Sequence, residues 1–141
     1  MRAAMRAPFV SFCTDSGARA VDGPLSRAKS HPRGWGSYPR ILGRYVRDEH
    51  QLTLEQAINK MTGMPAKRVG LRERGLLREG FYADLTIFDP QTVADSAKFG
   101  DPAKYSVGFR YVLVAGVPVV SNGQLQTGVS PGRAVRGPIK D

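Results

Sequence analysis

Between Lys60 and Asp89 the hydrophobic period of the chain changes, and this change limits the folds open to it. Before it, Leu54, Ala57, Ile58 and Met61 recur at i, i+3, i+4 and i+7, the spacing of one helix face. After it, Leu85–Phe88 and Phe109–Val114 are β-branched and aromatic runs bounded by turn residues. The join, KMTGMPAKRVGLRERGLLREGFYAD, holds a helix end, a Pro65-Ala66 helical turn stopped by Gly70, and a glycine-punctuated loop. Helices therefore gather in the first half and antiparallel strands in the second. Neither half has enough elements to close its own layers.

The rest of the chain fills in that order. Residues 1–7 read as the end of a helix truncated on its N-terminal side, and Pro8 cuts their apolar stretch too short for a signal peptide. Phe9–Cys13 is continuous in β-forming character and predicts a short buried strand of the parallel-sheet kind. Cys13, alone in the chain, is expected to be buried and fits a reducing, cytoplasmic location. Residues 16–37 carry no period and read as a long loop. A helix is expected from Tyr38, with Pro39 in its first turn, to Arg47 or Asp48. Thr53 and Gln56 form a capping box for the next helix, which Gly63 closes. Ala115-Gly116 and Asn122-Gly123 turn the last strands, and Pro118 marks an edge or strand start. The tail GRAVRGPIKD is expected to be loosely held.

Charge narrows the partners. The net charge is +9, and residues 1–47 hold nine Lys/Arg against two acids. Such a basic third could meet nucleic acid, a carboxylate substrate or an acidic protein surface. No zinc-knuckle spacing, helix-turn-helix pattern or aromatic-interleaved basic stripe supports nucleic acid. No apolar run approaches the ~18 residues a membrane span needs.

Several segments together carry a resemblance. FVSFCTD is a strand ending in an aspartate, SHPRGWGSYPR a His-Pro-Arg loop, and RILGRYVR a helix. KMTGMPA, RGLLREGFYADL, FDP, a Val-Leu-Val-Ala-Gly-Val-Pro-Val-Val hairpin and a closing Gly-Arg-Ala-Val-Arg-Gly follow. In this series the chain resembles the C-terminal part of the amidohydrolase superfamily. More narrowly, the His-Pro-Arg loop and its helix resemble the N-acyl-D-amino-acid deacylases (D-aminoacylases). The resemblance implies an α/β fold: a C-terminal fragment of a metal-dependent (β/α)8 barrel over residues 1–75, with its last strand, active-site loop and helices. Part of a small β-sandwich domain would follow over residues 76–141.

It also implies a chemistry: hydrolysis of an N-acyl-D-amino acid to a D-amino acid and a carboxylate by a zinc-activated water. Asp15 would be the catalytic aspartate at the end of the last barrel strand, touching the metal and exchanging the proton of the water. By position alone, an aspartate there is commonly a turn former or N-cap. Where the family has Gly directly after this Asp, the chain has Ser16 and then Gly17. Arg33 offers a planar fork for the substrate carboxylate, or is a solvated loop arginine. His31 would line the site or orient the loop. Trp35 and Tyr38 pack that loop, Asp84 and Asp89 are structural, and His50 is exposed. With two His and one Cys the chain cannot complete a zinc site, so the remaining ligands would come from a missing N-terminal barrel portion. The chain alone is then expected to be inactive. Without that portion, the face Leu54/Ala57/Ile58/Met61 and the run Phe9–Phe12 are expected to lie exposed. A non-catalytic module complementing a separate barrel half, a dihydroorotase- or hydantoinase-like enzyme, and a basic nucleic-acid binder are the rival readings.

Overall fold

The computed structural model describes residues 1–26 and 30–135. Its helices are α1 (Arg2–Arg6), α2 (Arg33–Arg40), α3 (Leu54–Met61) and α4 (Gly63–Arg68), with a 3-10 turn at Pro24–Ser26. The strands are β1 (Leu85–Phe88), β2 (Phe109–Val114), β3 (Val117–Ser121) and β4 (Gln124–Leu125), forming one antiparallel sheet in chain order. No helix among the described residues is long and apolar enough to cross a membrane. Residues 136–141 of the expected loose tail lie outside the described residues.

The helix expected from Tyr38 starts earlier, at Arg33. Pro32 is its N-cap residue, and the backbone N–H of Arg33, an orphan donor of the first turn, is taken by His31 Nδ1 at 3.0 Å. Pro39 thus lies inside the helix and not in its first turn. A proline there removes an i→i−4 bond, and the chain widens directly afterwards into π-helical turns over Ile41–Asp48. At α3 the capping box forms in full: Gln56 N–H donates to Thr53 Oγ1 at 3.2 Å, and Thr53 N–H to Gln56 Oε1 at 3.1 Å. Gly63 opens α4, and Thr62 ends α3 in its place, its hydroxyl donating to Ile58 O at 2.8 Å.

The strand expected at Phe9–Cys13 does not form. β propensity needs a neighbouring ladder to act on, and this segment has one backbone bond to α3 instead, from Phe12 N–H to Lys60 O at 3.0 Å. Cys13 is accordingly exposed and not buried. The expected bare face of α3 is also corrected. Ala57 is fully buried, and Leu54, Ile58 and Met61 pack against a core of Met5, Ile41, Leu42, Tyr45, Leu52 and Val93. Phe9, in contrast, is 72% exposed.

Strands β1 and β2 pair Leu85 with Leu113 and Ile87 with Tyr111, and slip at Phe88. Ala115-Gly116 and Asn122-Gly123 each have two positive φ values, the turn whose twist suits a two-residue hairpin. Asp84 is structural: one oxygen accepts Ala115 N–H at 2.8 Å and the other pairs with Arg74. Asp89 Oδ1 accepts Gln91 N–H at 2.9 Å, forming the turn after β1. Pro118 faces Leu113 at an irregularity, beyond the two residues of β3 that β4 covers.

Helix α1 is fixed by charge. Glu49 accepts Arg2 Nε at 2.8 Å and Arg44 Nε at 2.7 Å. The hydrogen bonds from Arg2, then Arg44, hold its carboxyl at about 2, below the ordinary 4.5. A depressed carboxylate stabilises the fold above its unfolded pKa and loses that contribution as pH falls through the folded one. Acidification from about pH 4.5 toward pH 2 is thus expected to release α1 and uncover Met5. NMR of the Arg2 side chain and the Met5 methyl would follow the release; an unchanged Arg2 signal at pH 2 would contradict it.

Candidate functional site

Asp15, His31 and Arg33 come together at the two ends of one loop. Asp15 has φ +49°, a left-handed conformation that Asp tolerates better than most residues. Its N–H reaches back to Cys13 Sγ at 3.4 Å. Ser16 lies so close to α2 that a Cβ on Gly34 would run into its hydroxyl. Residues 15 and 16 therefore rest against the first turn of α2. There the Arg33 guanidinium meets the Asp15 carboxylate at 3.0 Å. The side chains are 83% (Asp15) and 48% (Arg33) exposed, so both can reach a ligand from solvent. An ion pair this open is worth at most about 1 kcal/mol and is readily exchanged for another partner.

His31 supports Arg33 directly. Its Nδ1 accepts the Arg33 N–H, and its ring meets the Phe99 ring edge-on at 5.0 Å. Trp35 Nε1 donates to Ser30 Oγ at 2.8 Å, its ring crosses Tyr105 at 5.9 Å, and Ser106 Oγ donates to Trp35 O. Trp35 thus packs on Tyr105. Tyr38 is half-buried, and its burial, then the neighbouring Cys13, push its phenol above the ordinary range. His50 is exposed, as expected.

A zinc ion needs three or four protein ligands. Among the described residues no three of His, Cys, Asp and Glu stand together. His31 turns to Arg33, and the Arg33 cation already sits on the Asp15 carboxylate. The donors of this chain do not by themselves fit a zinc site. An open cavity of about 770 Å3 lies elsewhere, among Arg72, Arg74, Tyr82, Ala115 and Arg133, and touches none of the three site residues.

Two features escape a sequence reading. One is the Asp15–Arg33 pair, which spans eighteen positions of aperiodic chain. The other is Lys60, buried among the residues that lead to Asp15. Its signal is faint: it stands three residues after Ala57, on the apolar side of α3.

Comparison with known proteins gives this geometry a context. Residues 16–120 match the model of the amidohydrolase family, starting one residue after Asp15. The chain is 46% identical over 114 residues to a D-aminoacylase of Alcaligenes xylosoxydans xylosoxydans, covering 81% of this chain and 23% of that protein. A crystal structure of D-aminoacylase superposes with a TM-score of 0.67 at 48% identity, covering 70% of this chain and 21% of the other. An N-acyl-D-glutamate deacylase from Bordetella bronchiseptica, complexed with zinc and a phosphonate inhibitor, superposes with a TM-score of 0.62 at 48% identity, over 67% and 21% of the two chains. The chain thus spans less than a quarter of the length of these relatives. With most of its residues matched and its fold shared at that identity, the chain belongs to the amidohydrolase family.

Proposed function

We propose that this chain is the C-terminal portion of an N-acyl-D-amino-acid deacylase, with residues 1–75 closing the barrel and residues 76–141 forming part of the small β-sandwich domain. The observation that carries the reading is the Asp15–Arg33 pair at 3.0 Å. In an N-acyl amino acid the carboxylate and the scissile nitrogen sit on the same carbon. A guanidinium that grips the carboxylate brings the amide beside whatever base stands next to it. Substrate would take Asp15's place on Arg33 in bidentate fashion and release the Asp15 carboxylate for chemistry. Asp15 then accepts a proton from water as the water oxygen bonds to the acyl carbon. It returns that proton to the nitrogen as the C–N bond breaks, leaving a carboxylic acid and a free D-amino acid. His31 holds the helix start that aims Arg33.

Zinc is named for the Bordetella relative. In the complete protein Asp15 would be this chain's one ligand, the others belonging to the missing N-terminal barrel portion, and the enzyme would be cytoplasmic. Purified 1–141 supplied with zinc is expected to hydrolyse N-acetyl-D-amino acids no faster than the buffer blank. Joined or co-expressed with the remaining barrel, it is expected to be active. Turnover by 1–141 alone, or none from the joined protein, would overturn the reading.

Exposed apolar side chains favour a second role as a complementing module without chemistry of its own. Phe9, Phe99 and the 90% exposed Leu77 would dock on the barrel half. That role and the first part at Asp15→Asn, which would be silent for a pure docking module. Nucleic-acid binding has less support, because the sequence holds no aromatic-interleaved basic stripe.

A further inference from the structure

Lys60 is 4% exposed, yet no carboxylate among the described residues pairs with it. Its ammonium donates to two backbone carbonyls, Ala7 O and, at 2.8 Å, Val10 O. Its own carbonyl accepts the Phe12 N–H at 3.0 Å. Arg68 of α4 adds a longer bond to Phe9 O at 3.3 Å. A buried ammonium is costly to desolvate, and an apolar side chain of similar volume would fill the same space at lower cost. What the ammonium supplies, and a methylene chain cannot, is direction. It fixes two carbonyls three residues apart, and its backbone fixes a third group two residues on.

These bonds stand where a sheet ladder would be expected. Residues 9–13 carry strand-forming side chains without a strand beside them, and one helical residue, Lys60, partners both Val10 O and the Phe12 N–H. The tether ends at Phe12. Asp15 follows three residues later, in its left-handed turn, its N–H bound to Cys13 Sγ. Its carboxylate must then arrive at a guanidinium carried by a different element, α2. The angle at which the chain leaves Phe12 decides whether it does.

We propose that Lys60 is a positioning residue for Asp15: it clamps residues 7–12 so that the Asp15 carboxylate meets Arg33. Lys60 touches neither substrate nor reacting atoms. What Asp15 then does rests on the deacylase reading; the clamp itself does not.

The test is a side-chain NMR coupling experiment on the 141-residue chain. Arg33→Gln is expected to shift the Asp15 carboxyl carbon in the parent, because it removes the paired cation. In Lys60→Met that shift is expected to vanish, and the Phe12 amide to exchange at least about tenfold faster. The Val93 and Leu42 methyl signals should stay in place, showing that the core is intact. Lys60→Arg, which can still donate to both carbonyls, is expected to restore the shift. If Lys60→Met does not fold, Lys60→Gln, whose uncharged amide ends one atom short of the ammonium position and so loses both carbonyls, decides by the same two signals. A full Arg33-dependent shift at Asp15 in a folded Met or Gln variant would overturn the proposal and leave Lys60 a purely structural residue. Such a failure would not touch the deacylase reading, which is tested separately by the turnover of the joined protein.

Discussion

Gly108→Ala is expected to destabilise the chain by about 2–5 kcal/mol, a large part of the ~5–15 kcal/mol that holds a typical domain folded. Two costs combine. Gly108 has φ +85°, and a side chain in left-handed backbone costs about 1–2 kcal/mol. Its Cβ would also stand 2.5 Å from Val93 N and 2.8 Å from Thr92 C. Backbone atoms cannot swing aside as a flexible side chain can, and overpacking of this kind costs about 1–3 kcal/mol. The position is central because Val93 is fully buried between the two halves of the fold. On one side lies Gly108, at the entry to β2. On the other lies Gly43, whose Cβ would come within 2.6 Å of Val93 O, the same carbonyl that Arg47 holds at 2.8 Å. Gly17→Ala is the control: nothing lies within 4 Å of its Cβ, and its φ is not positive. It is expected to stay within about 0.5 kcal/mol of the parent. Urea denaturation of the three proteins measures the difference. Equal midpoints for Gly108→Ala and Gly17→Ala would show that Val93 is not the joint described.

Features were legible in the sequence where one or two local bonds decide them. The Thr53–Gln56 box needs only side chains and amides three residues apart. The turns at Ala115-Gly116 and Asn122-Gly123 need only tolerance of positive φ, and the run Leu85–Phe88 finds its partner across a single sheet. Where a distant group decides, the same reasoning fails. Phe9–Cys13 looks like a strand by side chain, but a strand is made by its neighbour, and here the neighbour is Lys60. The start of α2 was hidden because an imidazole, not a Ser, Thr or Asp, takes the first N–H, and because Pro39 suits a first turn it does not occupy. Of the site, the residue types at 15, 31 and 33 were visible through resemblance. Their meeting was not, since no period runs through the chain between Asp15 and Arg33.

Asp15→Asn in the joined, active protein is expected to lower kcat by about 10²–10⁴, the range for losing a general acid–base group. That is roughly 3–5 kcal/mol of transition-state stabilisation. Asparagine matches aspartate in size and tolerates the φ of +49° at this position. The amide cannot take a proton from water or hand one to the leaving nitrogen. In the 141-residue chain the fold should change little, because there the side chain is 83% exposed and its pair with Arg33 adds about 1 kcal/mol at most. The melting curve of Asp15→Asn in 1–141 is therefore expected to match the parent, while turnover of the joined protein collapses. On the proposed reading Arg33→Gln would remove the carboxylate grip and leave the base, so its loss is expected mainly in KM. That split tells the two residues apart, although they touch each other in the free chain. If Asp15 only forms a turn, its asparagine variant will keep parent kcat and KM, since asparagine forms that turn equally well.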